Sequence, residues 1–267
     1  MLNFMRESVN IAIAGATGYI GLELINILTK HPKARITHLL SKSFVGSSIT
    51  KFDKRIKNKK LPKLTDINNI NWNNVDILFT ALPNGEAQKI AKNINSKIVL
   101  IDLSADFRLN NPKVYKKWYK LEHQCVSGQK NSVYALPEFK KKQIRKYKII
   151  SCPGCYPTSV QLPLIPLLKR KIIKPNNIIM DSKSGFSGAG KNIKDKFKFK
   201  NLFTSVSAYG VGSHRHMAEI DQELSLIANK KINAHFTPHL IPMFRGILST
   251  IYVELPTNVT PKKSIIT

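Results

Sequence analysis

Residues 9–21 read VNIAIAGATGYIG, and the fold turns on how this stretch is read. A short apolar run is followed by Gly15, Gly18 and Gly21, and then by an amphipathic segment reaching residue 29. The pattern predicts a strand, a tight turn and a helix. Glycines in such a turn let the chain bend sharply, approach a pyrophosphate closely and pack the helix on the strand. The anion then rests on the N–H groups that open the helix. Gly15, Thr17, Gly18, Tyr19 and Gly21 are therefore candidate cofactor ligands.

Working outward, apolar segments at 35–40, 75–80, 98–103 and 148–151 read as strands, with a helix at 86–93. Strands separated by helices predict a parallel, doubly wound α/β sheet, a Rossmann-type dinucleotide-binding domain over residues 1–151. The second strand runs into Leu39-Leu40-Ser41-Lys42-Ser43, with no acid for a ribose hydroxyl. Hydroxyls and a cation suit the 2′-phosphate of NADP, so Ser41 and Lys42 join the candidate cofactor residues. After residue 151 the texture changes: a helix at 155–168 and another at 217–228 alternate with β-rich stretches at 177–181, 232–238 and 247–255. This predicts an α+β catalytic domain over residues 152–267. Its last stretch, PTNVTPKKSIIT, follows a strand and a polar turn with no closing element, so an incomplete domain is expected.

Composition limits the function. The chain has 267 residues, 42% hydrophobic, enough for a substantial core, and 43 Lys+Arg against 16 Asp+Glu, a net charge of +27. Such charge suits phosphate contacts, but the basic runs KFDKRIKNKK, FKKKQIRKYK and KNIKDKFKFK are scattered. No helix-turn-helix, zinc-finger or aromatic RNA-binding signature accompanies them, so no specific nucleic-acid partner is expected. No run is long enough to span a bilayer and the N-terminus lacks an apolar signal core, which predicts a soluble, cytoplasmic protein without a membrane partner. Three cysteines are too few for a secreted disulfide framework.

The stretch KIISCPGCYPT, residues 148–158, holds two of those cysteines. A structural zinc would need four ligands, and no second pair supplies them, so no metal is expected. A thioredoxin-like redox pair stays open, because the motif follows a strand and precedes a helix. The third reading is a nucleophile: Cys155 opens a helix, where a thiolate is favoured and its pKa falls from about 8.5 toward roughly 3.5–7.5. A thiol nucleophile wants an acid/base partner. GVGSHRHMAEIDQEL offers His214 and His216, flanking Arg215, with Glu219 a turn later. SKSGFSGAGK, residues 182–191, is a loop rich in glycine and hydroxyls suited to an anion, and its Ser187 and Gly188 are further candidate cofactor-binding residues. SADFRL and PMFRG each set one arginine, Arg108 and Arg245, beside apolar residues, as carboxylate or phosphate clamps do.

Taken together, GATGYIG, ALPNG, DLSADFRL, YALPE, PGCYPT, SGFSGAGK, YGVGSHRHMAEI and TPHLIPMFRGIL resemble the N-acetyl-gamma-glutamyl-phosphate reductase family, NADPH-dependent enzymes of arginine biosynthesis, in the family's order from residue 10 to about 253. The resemblance implies Cys155 as acylated nucleophile and His216 as general acid/base. It also implies His214 and Arg215 lining the site with Glu219, Arg108 on a substrate phosphate, Arg245 on a substrate carboxylate, and a homo-oligomer, dimer or tetramer, acting on an acyl phosphate with release of inorganic phosphate. Three departures stand out: Cys152 where the family often has Asn, Ala218 for the usual proline after HRHx, and no counterpart of the family's C-terminal portion, which returns to the cofactor domain. The two cysteines raise the further idea of a reversible, inactivating disulfide. A related aspartate-semialdehyde dehydrogenase and a non-catalytic, basic nucleic-acid binder are the competing readings.

Overall fold

A computed structural model describes residues 8–57, 60–191, 204–257 and 259. The lysine run from residue 192 to 200 and most of the closing PTNVTPKKSIIT lie outside the described residues. The chain divides into two compact units, Met1–Lys116 with Leu121–Cys152, and Lys117–Lys120 with Pro153–Thr267.

The first unit is a seven-stranded sheet: β1 (Val9–Ala14), β2 (Ala34–Leu40), β3 (Leu64–Thr65), β4 (Ile77–Thr80), β5 (Val99–Asp102), β6 (Ser132–Tyr134) and β7 (Ile149–Ser151), in spatial order β3-β2-β1-β4-β5-β7-β6. Every pairing in it is parallel. Its helices are α1 (Tyr19–Leu28), α2 (Glu86–Asn93), α3 (Pro112–Tyr119), whose last residues group with the second unit, α4 (Val126–Lys130) and α5 (Pro137–Ile144). β1 shows why the sheet must be covered on both faces. Ile11 and Ile13 enter one core with Leu22, Ile25 and Leu39, while Ala12 and Ala14 enter another with Leu40, Leu78, Ala87 and Leu100. Alternate residues of a strand point to opposite faces, so a strand apolar throughout needs two cores. Each fully buried Ile or Leu contributes about 1.5–3 kcal/mol. The order reverses between β1 and β4, and a doubly wound sheet opens its ligand crevice at the carboxyl ends of such a strand pair. This is the Rossmann-type arrangement expected from VNIAIAGATGYIG.

The second unit packs α6 (Cys155–Lys169) and α7 (His216–Ala228) with a four-stranded sheet of β8 (Ile179–Gly185), β9 (Ser207–Ala208), β10 (His235–Ile241) and β11 (Ile247–Tyr252), ordered β11-β8-β10-β9. α6 continues through Pro163 and Pro166, each of which forgoes a backbone donor.

Several boundaries depart from expectation. β8 begins at Ile179 because Asn177 sits in the left-handed region at φ 52°, which no strand accommodates. It extends through Ser182-Lys183-Ser184-Gly185, read from sequence as loop, because the Ser182 side chain faces inward and bonds the Ser249 hydroxyl at 2.7 Å. The stretch expected as strand from 232 contributes only from His235. Before it, Ile232 and Ala234 donate their backbone N–H groups to Ser225 Oγ and Asp221 Oδ1 of α7, so helix side chains claim them first. Elements β3, β6, α3, α4 and α5 were not anticipated.

Candidate active site

In the first unit the glycine turn has the geometry its sequence implies. Gly15 lies at φ 83°, and a Cβ there would stand 2.2 Å from the Ala81 carbonyl oxygen, so the loops after β1 and β4 meet with room only for backbone. A Cβ on Gly21 would stand 2.3 Å from the Gly15 oxygen. Gly18 is the N-cap of α1, with no side chain capping it and no acid in the first turn, leaving the positive end of the helix to an outside anion. Thr17 and Tyr19 lie in this turn. The donor set therefore fits a dinucleotide phosphate. At the end of β2, Ser41 donates its N–H to Thr65, and the Lys42 ammonium lies 3.1 Å from Glu86 Oε2. Sequence reading found no acid on β2, yet the fold brings a carboxylate there from α2.

DLSADFRL proves to be the scaffold of the same unit. Asp106 accepts the N–H groups of Gly85 at 2.7 Å and Gln88 at 3.2 Å, closing the start of α2, and the Tyr115 hydroxyl at 2.8 Å. Arg108, expected on a substrate phosphate, is buried instead and donates Nε to the Cys152 carbonyl at 2.8 Å and Nη2 to Leu103 at 3.1 Å. Asp102 is fully buried, and burial raises its pKa. Cys152 belongs to this scaffold: burial, then the Asp102 charge, push its thiol up to about 11. It is held as a neutral thiol.

The second unit holds the candidate nucleophile. Cys155 is the first residue of α6 and its side chain is exposed. It opens onto a cavity of about 480 Å³ whose walls include Trp118, Tyr209, His214, Arg215 and His216. His214 and His216 have ring centroids 4.8 Å apart. Tyr156 meets both rings edge-on, at 5.5 and 6.0 Å, and its hydroxyl bonds that of Tyr209 at 2.9 Å. Burial, then Arg215, lower the His214 pKa to about 4, so the ring is neutral at ordinary pH. Its Nδ1 accepts the His216 N–H at 3.2 Å, which leaves the proton on Nε2. His214 is thus a fixed donor, and His216, the first residue of α7, lines the same cavity. Burial raises the Tyr209 pKa as well, keeping a neutral phenol in the wall.

Of the other expected residues, Gly188 lines the cavity, while Ser187 spends its N–H on the Phe244 carbonyl. Arg245 is exposed on the turn between β10 and β11, its guanidinium 5.2 Å from the Phe244 ring centre, and does not line the cavity. Glu219, expected beside substrate, is 0% exposed and accepts the Gly154 N–H at 2.7 Å. Trp118 and Tyr209 were missed: Tyr209 sat inside the quoted YGVGSHRH string, but nothing near Trp118 signalled a site.

Comparison with known proteins assigns the chain. The family model described as "Semialdehyde dehydrogenase, NAD binding domain" matches residues 10–147, and "Semialdehyde dehydrogenase, dimerisation domain" matches residues 155–266. The chain belongs to the semialdehyde dehydrogenase family. A probable N-acetyl-gamma-glutamyl-phosphate reductase, chloroplastic, of Arabidopsis thaliana is 42% identical over 95% of this chain and 63% of its own length. The N-acetyl-gamma-glutamyl-phosphate reductase of Alkaliphilus metalliredigens is 45% identical over 94% of this chain and 73% of its own. The chain thus groups with the family members of that name while spanning about two thirds to three quarters of their length. Aspartate semialdehyde dehydrogenase II from Vibrio cholerae superposes over 97% of this chain and 77% of its own, with a TM-score of 0.69 at 17% identity, which speaks to fold alone.

Proposed function

We propose that this semialdehyde dehydrogenase reduces N-acetyl-L-glutamyl 5-phosphate to N-acetyl-L-glutamate 5-semialdehyde with NADPH, through a thioester on Cys155, as a cytoplasmic step of arginine biosynthesis. The observation that carries the reading is the exposed Cys155 sulfur at the start of α6, in one cavity with a neutral His214 and with His216.

His216 takes the Cys155 proton, and the thiolate attacks the acyl carbon. The carbon–oxygen bond to phosphate breaks, phosphate leaves with the bonding pair, and the acyl group stays on sulfur. The Gly15–Gly21 turn would hold the NADPH pyrophosphate, and the cofactor would supply the hydride that reduces the thioester. The resulting thiohemiacetal oxyanion needs a donor, and the His214 Nε2–H stands in the cavity wall to serve it. As the carbon–sulfur bond breaks, the aldehyde leaves and the Cys155 thiolate returns, to be reprotonated by His216. NADP rather than NAD is supported by Ser41 and Lys42 after β2, the Glu86 carboxylate brought there by α2 being paired with both Lys42 and Lys89.

A homo-oligomer is part of the reading. The sheet of the second unit turns Leu248, 66% exposed, and Tyr252, 58% exposed, to solvent beside the Asp181–Lys183 ion pair, a mixed face that a second copy would cover. Among the described residues no helix is long and apolar enough to cross a membrane.

The test is phosphate-dependent formation of NADPH from N-acetylglutamate 5-semialdehyde by the wild-type chain and by Cys155→Ser, with aspartate semialdehyde as the competing substrate. Activity on the acetylated substrate that is lost in the variant is expected. Full activity of the variant sinks the mechanism, and a preference for aspartate semialdehyde sinks the substrate. DNA binding that survives high salt, with no NADPH affinity, would favour the nucleic-acid reading instead.

A further inference from the structure

The bond between Glu219 and the residue preceding the nucleophile has no part in the steps above. The Glu219 carboxylate is fully buried on α7 and accepts the N–H of Gly154, the N-cap of α6, at 2.7 Å across 65 residues of sequence. His216 lies three positions earlier on α7, and residues so spaced share a helix face. Gly154 is joined directly to Cys155. One hydrogen bond therefore ties the helix that bears the thiol to the helix that bears the imidazole.

We infer that Glu219 is a positioning residue, which fixes Cys155 in register with His216 through the Gly154 N–H and is not itself a substrate ligand. The inference rests on the reading of Cys155 as nucleophile.

Two features of the helix start sharpen the point. Pro157 brings no N–H to the first turn, and the Thr158 N–H closes on the Gly154 carbonyl at 2.9 Å, so few donors are present and one of them is committed to Glu219. Glu219 thus gives Cys155 a fixed position at the start of α6. The other charged or titratable groups near the sulfur are Arg215, His214, His216, Tyr156 and Tyr209 around the cavity, and Glu223, buried one turn beyond Glu219 on α7.

The test compares the full chain with Glu219→Gln and Glu219→Ala, reading thermal unfolding, the pH dependence of Cys155 alkylation by iodoacetamide, and steady-state kinetics. Glu219→Gln keeps an acceptor oxygen for the Gly154 N–H. It is expected to fold and to hold both kcat and KM within about fivefold of wild type. Glu219→Ala loses the tether, and kcat should fall about 100-fold at little-changed KM, as for an ångström-scale misplacement of a reacting group. An unchanged kcat in folded Glu219→Ala overturns the inference. So does a raised KM at unchanged kcat, the mark of a direct substrate contact. Failure of Glu219→Gln to fold overturns it too, since Glu219 would then serve the fold. Slow, pH-insensitive alkylation of Cys155 in the wild type would instead fail the nucleophile reading beneath it.

Discussion

The first helices of the two units begin almost identically and are used in opposite ways. Gly18 opens α1 at φ −73° and ψ 165°, and Gly154 opens α6 at φ −66° and ψ 166°. Neither has a capping side chain and neither has an acid in its first turn. Both helix starts therefore present a positive end to an anion. At α1 the turn is stripped to backbone by Gly15 and Gly21, and the anion must come with a ligand. At α6 the group at the helix start is part of the chain, the Cys155 side chain, and Glu219 accepts the cap N–H. A third start, that of α2, is closed by Asp106 and has nothing left to offer. Helix-end electrostatics are common property, and what occupies the cap decides whether an end binds, reacts or merely stands.

The largest predicted effects separate the two open ends. Cys155→Ser should lower turnover by 10³-fold or more while leaving NADPH affinity, read by titration of nicotinamide fluorescence, within about twofold. His216→Asn should lower turnover by about 10²–10⁴-fold with the same intact binding. Loss of NADPH binding in either variant would break the division of labour between α1 and α6.

Gly21→Ala is the converse test. Its Cβ would fall 2.3 Å from the Gly15 oxygen and 2.8 Å from the Ala16 oxygen, both backbone atoms with little room to yield. A destabilisation of about 2–4 kcal/mol and a loss of NADPH affinity of at least tenfold are expected from chemical denaturation and titration. Alkylation of Cys155 in the chain that remains folded should proceed at the wild-type rate. A slower rate would show that the two helix starts are not independent.

How much of this was legible in the sequence follows from the same comparison. β1, α1 and the glycine turn could be read almost to the residue, because strand, turn and helix are contiguous and the turn needs backbone alone. Cys155 and His216 could be singled out, because each stands at the start of a helix with a distinctive neighbourhood. The partners that close or tether helix ends could not. Asp106 reaches Gly85 from 21 positions away and Glu219 reaches Gly154 from 65. Local pattern carries no trace of such pairings, so neither SADFRL nor HMAEI announced the bond of Arg108 with the Cys152 carbonyl or of Glu219 with the Gly154 N–H. The inward serines of β8 misled for a related reason: SKSG has loop composition, and only the facing hydroxyl of Ser249 makes Ser182 a strand residue.

A smaller effect concerns His214. Its pKa of about 4 lies below the ordinary 6.5, with burial as the main cause. Between those two values the unfolded chain binds a proton that the folded chain refuses, so stability is full above pH 6.5 and falls as pH drops toward 4. His214→Asn should flatten that part of the curve of melting temperature against pH. Turnover should show no inflection near 6.5 from this ring, because it stays neutral throughout the working range. An unchanged acid slope in the variant would place the charge-sensitive group elsewhere.

Cys152 provides the smallest expected effect and the cleanest contrast with Cys155. Disulfide formation under peroxide would need the Cys155 thiolate to reduce peroxide and become a sulfenic acid. A Cys152 thiolate would then attack that sulfur and expel hydroxide. With its pKa pushed up to about 11 by burial and the Asp102 charge, only about one Cys152 in ten thousand is ionised at pH 7. The second step is therefore starved of its nucleophile. Cys152→Ser should leave both turnover and the rate of peroxide inactivation within about twofold of wild type, with Cys155 recovered by mass spectrometry as its sulfenic or sulfinic acid. Protection by the substitution, or a linked Cys152–Cys155 peptide from the oxidised wild type, would mean that the buried thiol reaches its thiolate after all. The line between the bracing cysteine and the reacting one would then have to be redrawn.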